Sequence, residues 1–175
     1  TAPGFGRDEE SFNKWWPASY HLIGKDILTT HAVYWATMLM SAGIELPKTI
    51  FAHGWWLMGE SKMSKSLGNV INPMDLIDDY GVDPVRYYLM REMVLGQDSS
   101  FTMESFIQRY NSDLANDFGN LLSRVSTLMK KNYDGKIPEP GDFTEAEALI
   151  KSHSESLGEV VKEKIEAMRL NEAIE

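Results

Sequence analysis

The sequence changes character once, at the turn-rich joint Gly96-Gln97-Asp98-Ser99-Ser100, and this change constrains the fold to an α/β part followed by an all-α part. Before the joint, short apolar runs alternate with stretches of helical spacing. Tyr20-His21-Leu22-Ile23 is a strand-length run closed by Gly24, which reads as a strand and a tight turn. From Asp26 to Met40, Ile27, Val33, Tyr34 and Leu39, joined by Trp35 and Met38, recur at three- and four-residue intervals and predict one helix that Gly43 can close. Ile50-Phe51-Ala52 reads as a buried strand. After Trp55-Trp56-Leu57-Met58 comes a polar loop rich in lysine and serine, Gly59 to Asn69. Asn72-Pro73 and Asp83-Pro84 each place a capping side chain before a proline, the signature of a helix start, and Gly81 ends the first of these helices. Alternation of strands and helices builds a parallel sheet with helices on its faces.

Beyond the joint the pattern is helical throughout. Phe106, Tyr110, Leu114, Phe118, Leu121, Leu122, Val125, Leu128 and Met129 form a stripe too long for one ordinary helix, so two helices are expected with a break near Asn111-Ser112. Asn132-Tyr133-Asp134-Gly135 ends the stripe, and Pro138 to Gly141 is a loop. Ala146 to Glu175 carries Leu149, Ile150, Leu157, Val160, Val161, Ile165 and Met168 on one face, as a bundle helix would. The expected domains are therefore residues 1–98 and 99–175. The helical pattern still runs at Glu175, and the first residues lead quickly into a strand, so both ends are expected to fall inside domains.

Composition limits the function classes. There is no apolar run approaching the ~18 residues that cross a bilayer, and no cysteine for a disulfide framework or a thiolate metal site, which suits a cytoplasmic protein. The net charge of −9 argues against coating DNA. The acidity is concentrated late: residues 1–70 balance six bases with six acids, whereas residues 141–175 hold four and nine. Any nucleic-acid contact must then be local.

The densest chemical signal is Lys62-Met63-Ser64-Lys65-Ser66, flanked by Gly59 and Gly68. Most lysine-serine stretches are solvated surface loops. A fully specified pentapeptide, however, arises by chance in a chain of this length with a probability of about one in ten thousand. Two lysines three apart among small hydroxyl residues make a mobile cationic loop able to fold over a polyphosphate.

This pentapeptide resembles the second signature of the class I aminoacyl-tRNA synthetases, and its surroundings are similar to the methionyl group of that family. Tyr20-His21-Leu22-Ile23-Gly24-Lys25-Asp26-Ile27, His31, Phe51-Ala52-His53-Gly54, Asp83 with Arg86-Tyr87-Tyr88, and Asn120 with Arg124 follow the family pattern in order. The resemblance implies activation of methionine with Mg-ATP to methionyl-adenylate, then transfer to tRNA(Met). It implies a Rossmann-like catalytic domain, of which residues 1–98 are the C-terminal part, and a helical anticodon-binding domain beginning at residue 99. It gives Lys65 the leaving pyrophosphate, with Lys62 assisting and Ser64 and Ser66 shaping the loop. It places ATP against Gly24, Asp26, His53, Gly54, Trp56, Met63 and Lys65, with Asp26 accepting from ribose hydroxyls and Trp56 offering backbone to the base. Ile27 and His31 would line the methionine pocket, although a lone histidine on an apolar helix is ordinarily a core residue. Asn120 and Arg124, four apart and so on one helical face, would read unpaired anticodon bases.

The family's first signature, His-Ile-Gly-His, is absent, and His21-Leu22-Ile23-Gly24 does not supply it. No zinc knuckle lies within these residues. The expectation is thus a middle and C-terminal portion of such an enzyme, inactive alone. The alternatives are another class I member, of cysteinyl, leucyl, valyl or isoleucyl type, or a non-catalytic tRNA-binding module.

Overall fold

A computed structural model describes residues 4–59, 61–63, 68 and 70–175. Ser64, Lys65 and Ser66 lie outside the described residues. The chain divides into two compact units, residues 1–56 with 95–99, and residues 57–94 with 100–175.

The first unit opens with helix α1 (Glu9–Trp15), capped by the Asp8 carboxylate, which accepts from the Ser11 amide at 3.1 Å. Strands β1 (His21–Gly24) and β2 (Ile50–His53) run parallel, in a register that sets Gly24 opposite His53. The expected parallel pairing is thus present, and Ile23 is its buried residue. Between the strands, the single expected helix is instead a 3₁₀ turn (Lys25–Ile27), a π-helical segment (Thr30–Trp35) and α2 (Ala36–Ser41). Thr29, Thr30, Val33, Tyr34 and Trp35 are β-branched or aromatic, and they crowd the preceding turn of a regular α-helix. The rings of Trp16, Trp35 and His21, the first residue of β1, form an edge-to-face cluster, with the His21 and Trp35 ring centres 4.9 Å apart.

Strand β3 (Trp56–Met58) begins on the last residue of the first unit's opening segment and runs into the second unit, pairing antiparallel with β4 (Ser61–Lys62). The sheet order is β4-β3-β5, with β5 at Ser99–Phe101. Helix α3 (Pro73–Tyr80) starts as its sequence predicts, with the Asn72 side chain accepting from the Met74 amide, and ends at Gly81, whose φ of 89° is open to glycine. Helix α4 (Val82–Glu92) begins one residue before Asp83, which lies in its first turn rather than capping it. The core gathers where α3, α4, β5 and α5 (Met103–Arg109) meet: Tyr88 and Phe106 are 1% exposed, with Leu76, Val85, Met93 and Phe101 around them.

The break expected near Asn111-Ser112 is absent. A π-helical stretch, Tyr110–Gly119, carries α5 into α6 (Asn120–Tyr133). Tertiary contacts override the breaker residues, because Asp113 is tied to the Tyr87 hydroxyl at 2.9 Å and to Arg109 at 3.4 Å, while Arg109 also reaches Glu92 at 3.0 Å. Asp134, at φ 50°, and Gly135 close α6 as predicted. The last helical pattern is also divided: α7 (Glu145–Glu166) starts in a Thr144–Glu147 capping box and stops before a left-handed Met168, and α8 (Leu170–Ala173) follows. Ion pairs from Lys164 and Arg169 to Glu172 secure that turn without any glycine or proline. The apolar faces of α6 and α7 are exposed, so the buried core of this unit is not where the helical stripes alone predict it.

Candidate functional site

The C-terminal ends of β1 and β2 lie side by side, and in open α/β sheets this edge is where ligands bind. Gly24, Asp26, Ile27, His31, His53, Gly54 and Trp56 all belong to the first unit and lie on these strand ends or the segments leaving them. A Cβ on Gly24 would stand 2.6 Å from Asp26 Oδ1, so the missing side chain is what lets the carboxylate fold back over the turn. Gly54 is buried, and a Cβ there would stand 2.0 Å from the Gln97 carbonyl oxygen. Gly54 thus marks a close approach of backbone to backbone, and Gly24 one of backbone to the side chain two residues on.

His31 Nδ1–H donates to the Ile27 carbonyl at 2.9 Å, and His53 Nδ1–H donates to the Gly54 carbonyl at 2.7 Å; since a carbonyl can only accept, each ring carries a proton on Nδ1. His31 also lies 6.0 Å from the Trp35 ring, edge to face. These bonds orient both imidazoles locally, while Ile27 remains exposed beside Asp26.

Three neighbours of the site escaped the sequence reading in this role: Lys25, Trp55 and Asp98. The Asp98 carboxylate accepts from Lys25 Nζ at 2.7 Å and from the Trp55 amide at 2.9 Å. Lys25 Nζ sits 4.3 Å from the centre of the Trp55 ring, and the Trp55 indole N–H points at Asp26 Oδ1 at 3.4 Å. The Lys25 bond and then the Trp55 amide hold the Asp98 carboxyl below its ordinary range, so it is ionised across neutral pH. Asp98 lies 73 residues from Lys25, inside what the sequence shows only as a polar joint; no local spacing could reveal the pair.

Other candidates lie in the second unit. Met63 is half-buried just after β4, and Asn120 and Arg124 are exposed one turn apart on α6, as their spacing predicts. Lys62 is the last residue of β4. Among the described residues no three His, Cys, Asp or Glu side chains gather as a metal site would require, and no helix is long and apolar enough to cross a membrane.

Comparison with known proteins places this geometry in a class. The model of the family described as tRNA synthetases class I (M) matches residues 4–126, and the chain belongs to that family. A methionine–tRNA ligase of Mycobacterium leprae is 48% identical over 176 residues, covering 100% of this chain and 33% of the relative. The methionine–tRNA ligase of Clostridium acetobutylicum is 47% identical, with 100% and 27% covered. Mycobacterium tuberculosis methionyl-tRNA synthetase in complex with methionyl-adenylate superposes with a TM-score of 0.91 at 46% identity, over 99% of this chain and 34% of that one. The chain therefore spans about a third of the length of the relatives it matches.

Proposed function

We propose that this chain is a portion of a methionine–tRNA ligase that acts in the cytoplasm, with residues 1–98 contributing to the catalytic domain and residues 99–175 to anticodon recognition. The observation that carries the reading is the likeness, over 99% of the chain, to a methionyl-tRNA synthetase holding methionyl-adenylate. The exposed sheet supports the status of a portion: parallel strands are ordinarily covered on both faces, yet Leu22 of β1 is 60% exposed.

In the proposed reaction a carboxylate oxygen of methionine attacks the α-phosphorus of Mg-ATP, the bond to the β-phosphate oxygen breaks, and pyrophosphate leaves. A 2′- or 3′-hydroxyl of the terminal adenosine of tRNA(Met) then attacks the activated carbonyl, releasing AMP. Asp26 accepts from the ribose hydroxyls of ATP. His53, Gly54 and the Trp56 backbone border the adenine, and Gly24 admits the nucleotide close to the turn. Ile27 and His31 contact the methionine side chain. Lys65, assisted by Lys62 and by Met63, Ser64 and Ser66 of the same loop, stabilises the charge that develops on pyrophosphate, a contact worth most in the transition state. Asn120 and Arg124 bond to and stack on anticodon bases.

The full-length protein should show ATP–pyrophosphate exchange that depends on methionine and on no other amino acid. Lys65→Ala should lower the exchange rate by far more than it raises the Michaelis constant for ATP. Exchange driven by a different amino acid would overturn the assignment, and an unchanged rate with a raised Michaelis constant would move Lys65 to ground-state binding.

A further inference from the structure

The loop that leads into β5 closes over both strand ends at once. Asp98 grips the Lys25 ammonium with one oxygen and the Trp55 amide with the other, at 2.7 and 2.9 Å. Beside it the Ser99 amide donates to the Trp55 carbonyl at 2.9 Å, and the Gln97 carbonyl fits against Gly54 where no Cβ would fit. Lys25 in turn covers the Trp55 ring, and Trp55 directs its indole N–H at Asp26. The turn after β1 and the segment after β2 are thus tied to one carboxylate that itself stands on neither.

We propose that Asp98 is a positioning residue of the nucleotide site: through Lys25 and Trp55 it fixes the orientation of the Asp26 carboxylate that receives the ATP ribose. This rests on the reading of the strand ends as an ATP site. A carboxylate is required because its two oxygens serve two donors, one of them cationic, and charge-assisted bonds hold tighter geometry than neutral ones. The Lys25 and Asp98 side chains are 39% and 32% exposed, which screens the pair and limits its effect to positioning rather than bulk stability.

The test uses the full-length protein and methionine-dependent ATP–pyrophosphate exchange. Asp98→Asn keeps an acceptor for the Trp55 amide but loses the charge, whereas Lys25→Met keeps the stem over Trp55 and loses the ammonium. Each should raise the ATP Michaelis constant about five- to tenfold, with kcat changed by no more than about twofold. The double variant should be no worse than the poorer single one, since both remove the same bond. Asp98→Glu should recover part of the loss. With 2′-deoxy-ATP or 3′-deoxy-ATP the Asp98→Asn penalty should shrink to about twofold or less for at least one of them, because the ribose contact is then already missing. An unchanged ATP Michaelis constant would overturn the proposal, as would additive single effects or an equal penalty on ATP and both deoxy analogues. Absence of methionine-dependent exchange in the unsubstituted protein would overturn the ligase reading and this inference with it; exchange in that protein with indifferent Asp98 variants overturns the inference alone.

Discussion

Replacing Gly54 by alanine tests the close approach that joins the two strand ends to the 97–99 segment. The added Cβ would stand 2.0 Å from the Gln97 oxygen, 2.3 Å from its carbonyl carbon and 2.6 Å from the Asp98 nitrogen. Ordinary contact needs roughly 3.5 Å, so backbone must separate by about 1.5 Å, and no flexible side chain can absorb that movement. Overpacking of this kind costs about 1–3 kcal/mol, and the stretched Trp55 amide bond to Asp98 and Ser99 amide bond to Trp55 add to it, so a loss of about 2–3 kcal/mol is expected. The melting midpoint should fall by roughly 4–12 °C. Exchange efficiency with ATP should fall about a hundredfold, since an ångström of misplacement at a reacting site has that effect. Gly43→Ala is the control. Gly43 has φ +67° and open space where its Cβ would stand, so alanine there carries only the left-handed backbone cost of about 1–2 kcal/mol and should leave exchange intact. Exchange by Gly54→Ala within about twofold of the parent, with an unchanged melting midpoint, would refute the steric argument.

Asn120→Ala and Arg124→Ala should each lower the efficiency of tRNA charging about ten- to a hundredfold while leaving pyrophosphate exchange nearly intact, and the defect should shrink on a tRNA with an altered anticodon; equal losses on both tRNAs would mean that the pair supports the helical fold. Phe106→Ala should destabilise by about 3–5 kcal/mol in urea unfolding, because its ring is 1% exposed and sits 5.1 Å from Tyr80 and 5.4 Å from Tyr88. Tyr88→Phe should cost only about 1 kcal/mol, since Ser105 loses the 2.6 Å Tyr88 partner but keeps the Thr102 carbonyl. Acid should weaken the joint between α4 and the π-helical stretch: burial alone would raise the Asp113 carboxyl, but the Ser112 and Tyr87 hydroxyls and Arg109 bring it below its ordinary value. A carboxyl lowered in the folded state stabilises fully above its unfolded value, and that contribution is lost as pH falls through the folded one, so unfolding free energy should decline below about pH 4 and less steeply in Asp113→Asn.

What the sequence determined by itself is local or carried by unbroken strings of residues. The β1 and β2 strands, the Asn72 cap with Pro73, the Gly81 and Gly135 stops and the i,i+4 placement of Asn120 with Arg124 each depend on chemistry within a few positions. The family, too, was legible, since blocks such as Gly24-Lys25-Asp26-Ile27 and the Lys62 to Ser66 run survive in order along the chain. The tertiary structure decided what depends on partners far apart in the chain. Whether Asn111-Ser112 breaks a helix turned on Tyr87 and Arg109 reaching Asp113, and whether the last helix runs to Glu175 turned on Lys164 and Arg169 meeting Glu172. Asp98 shows the same division most sharply: in sequence it is one polar residue of a joint, and only the fold brings Lys25 and Trp55 to its two oxygens, because hydrogen bonds and ion pairs act over about 3 Å of space and carry no trace of the 73 residues between them.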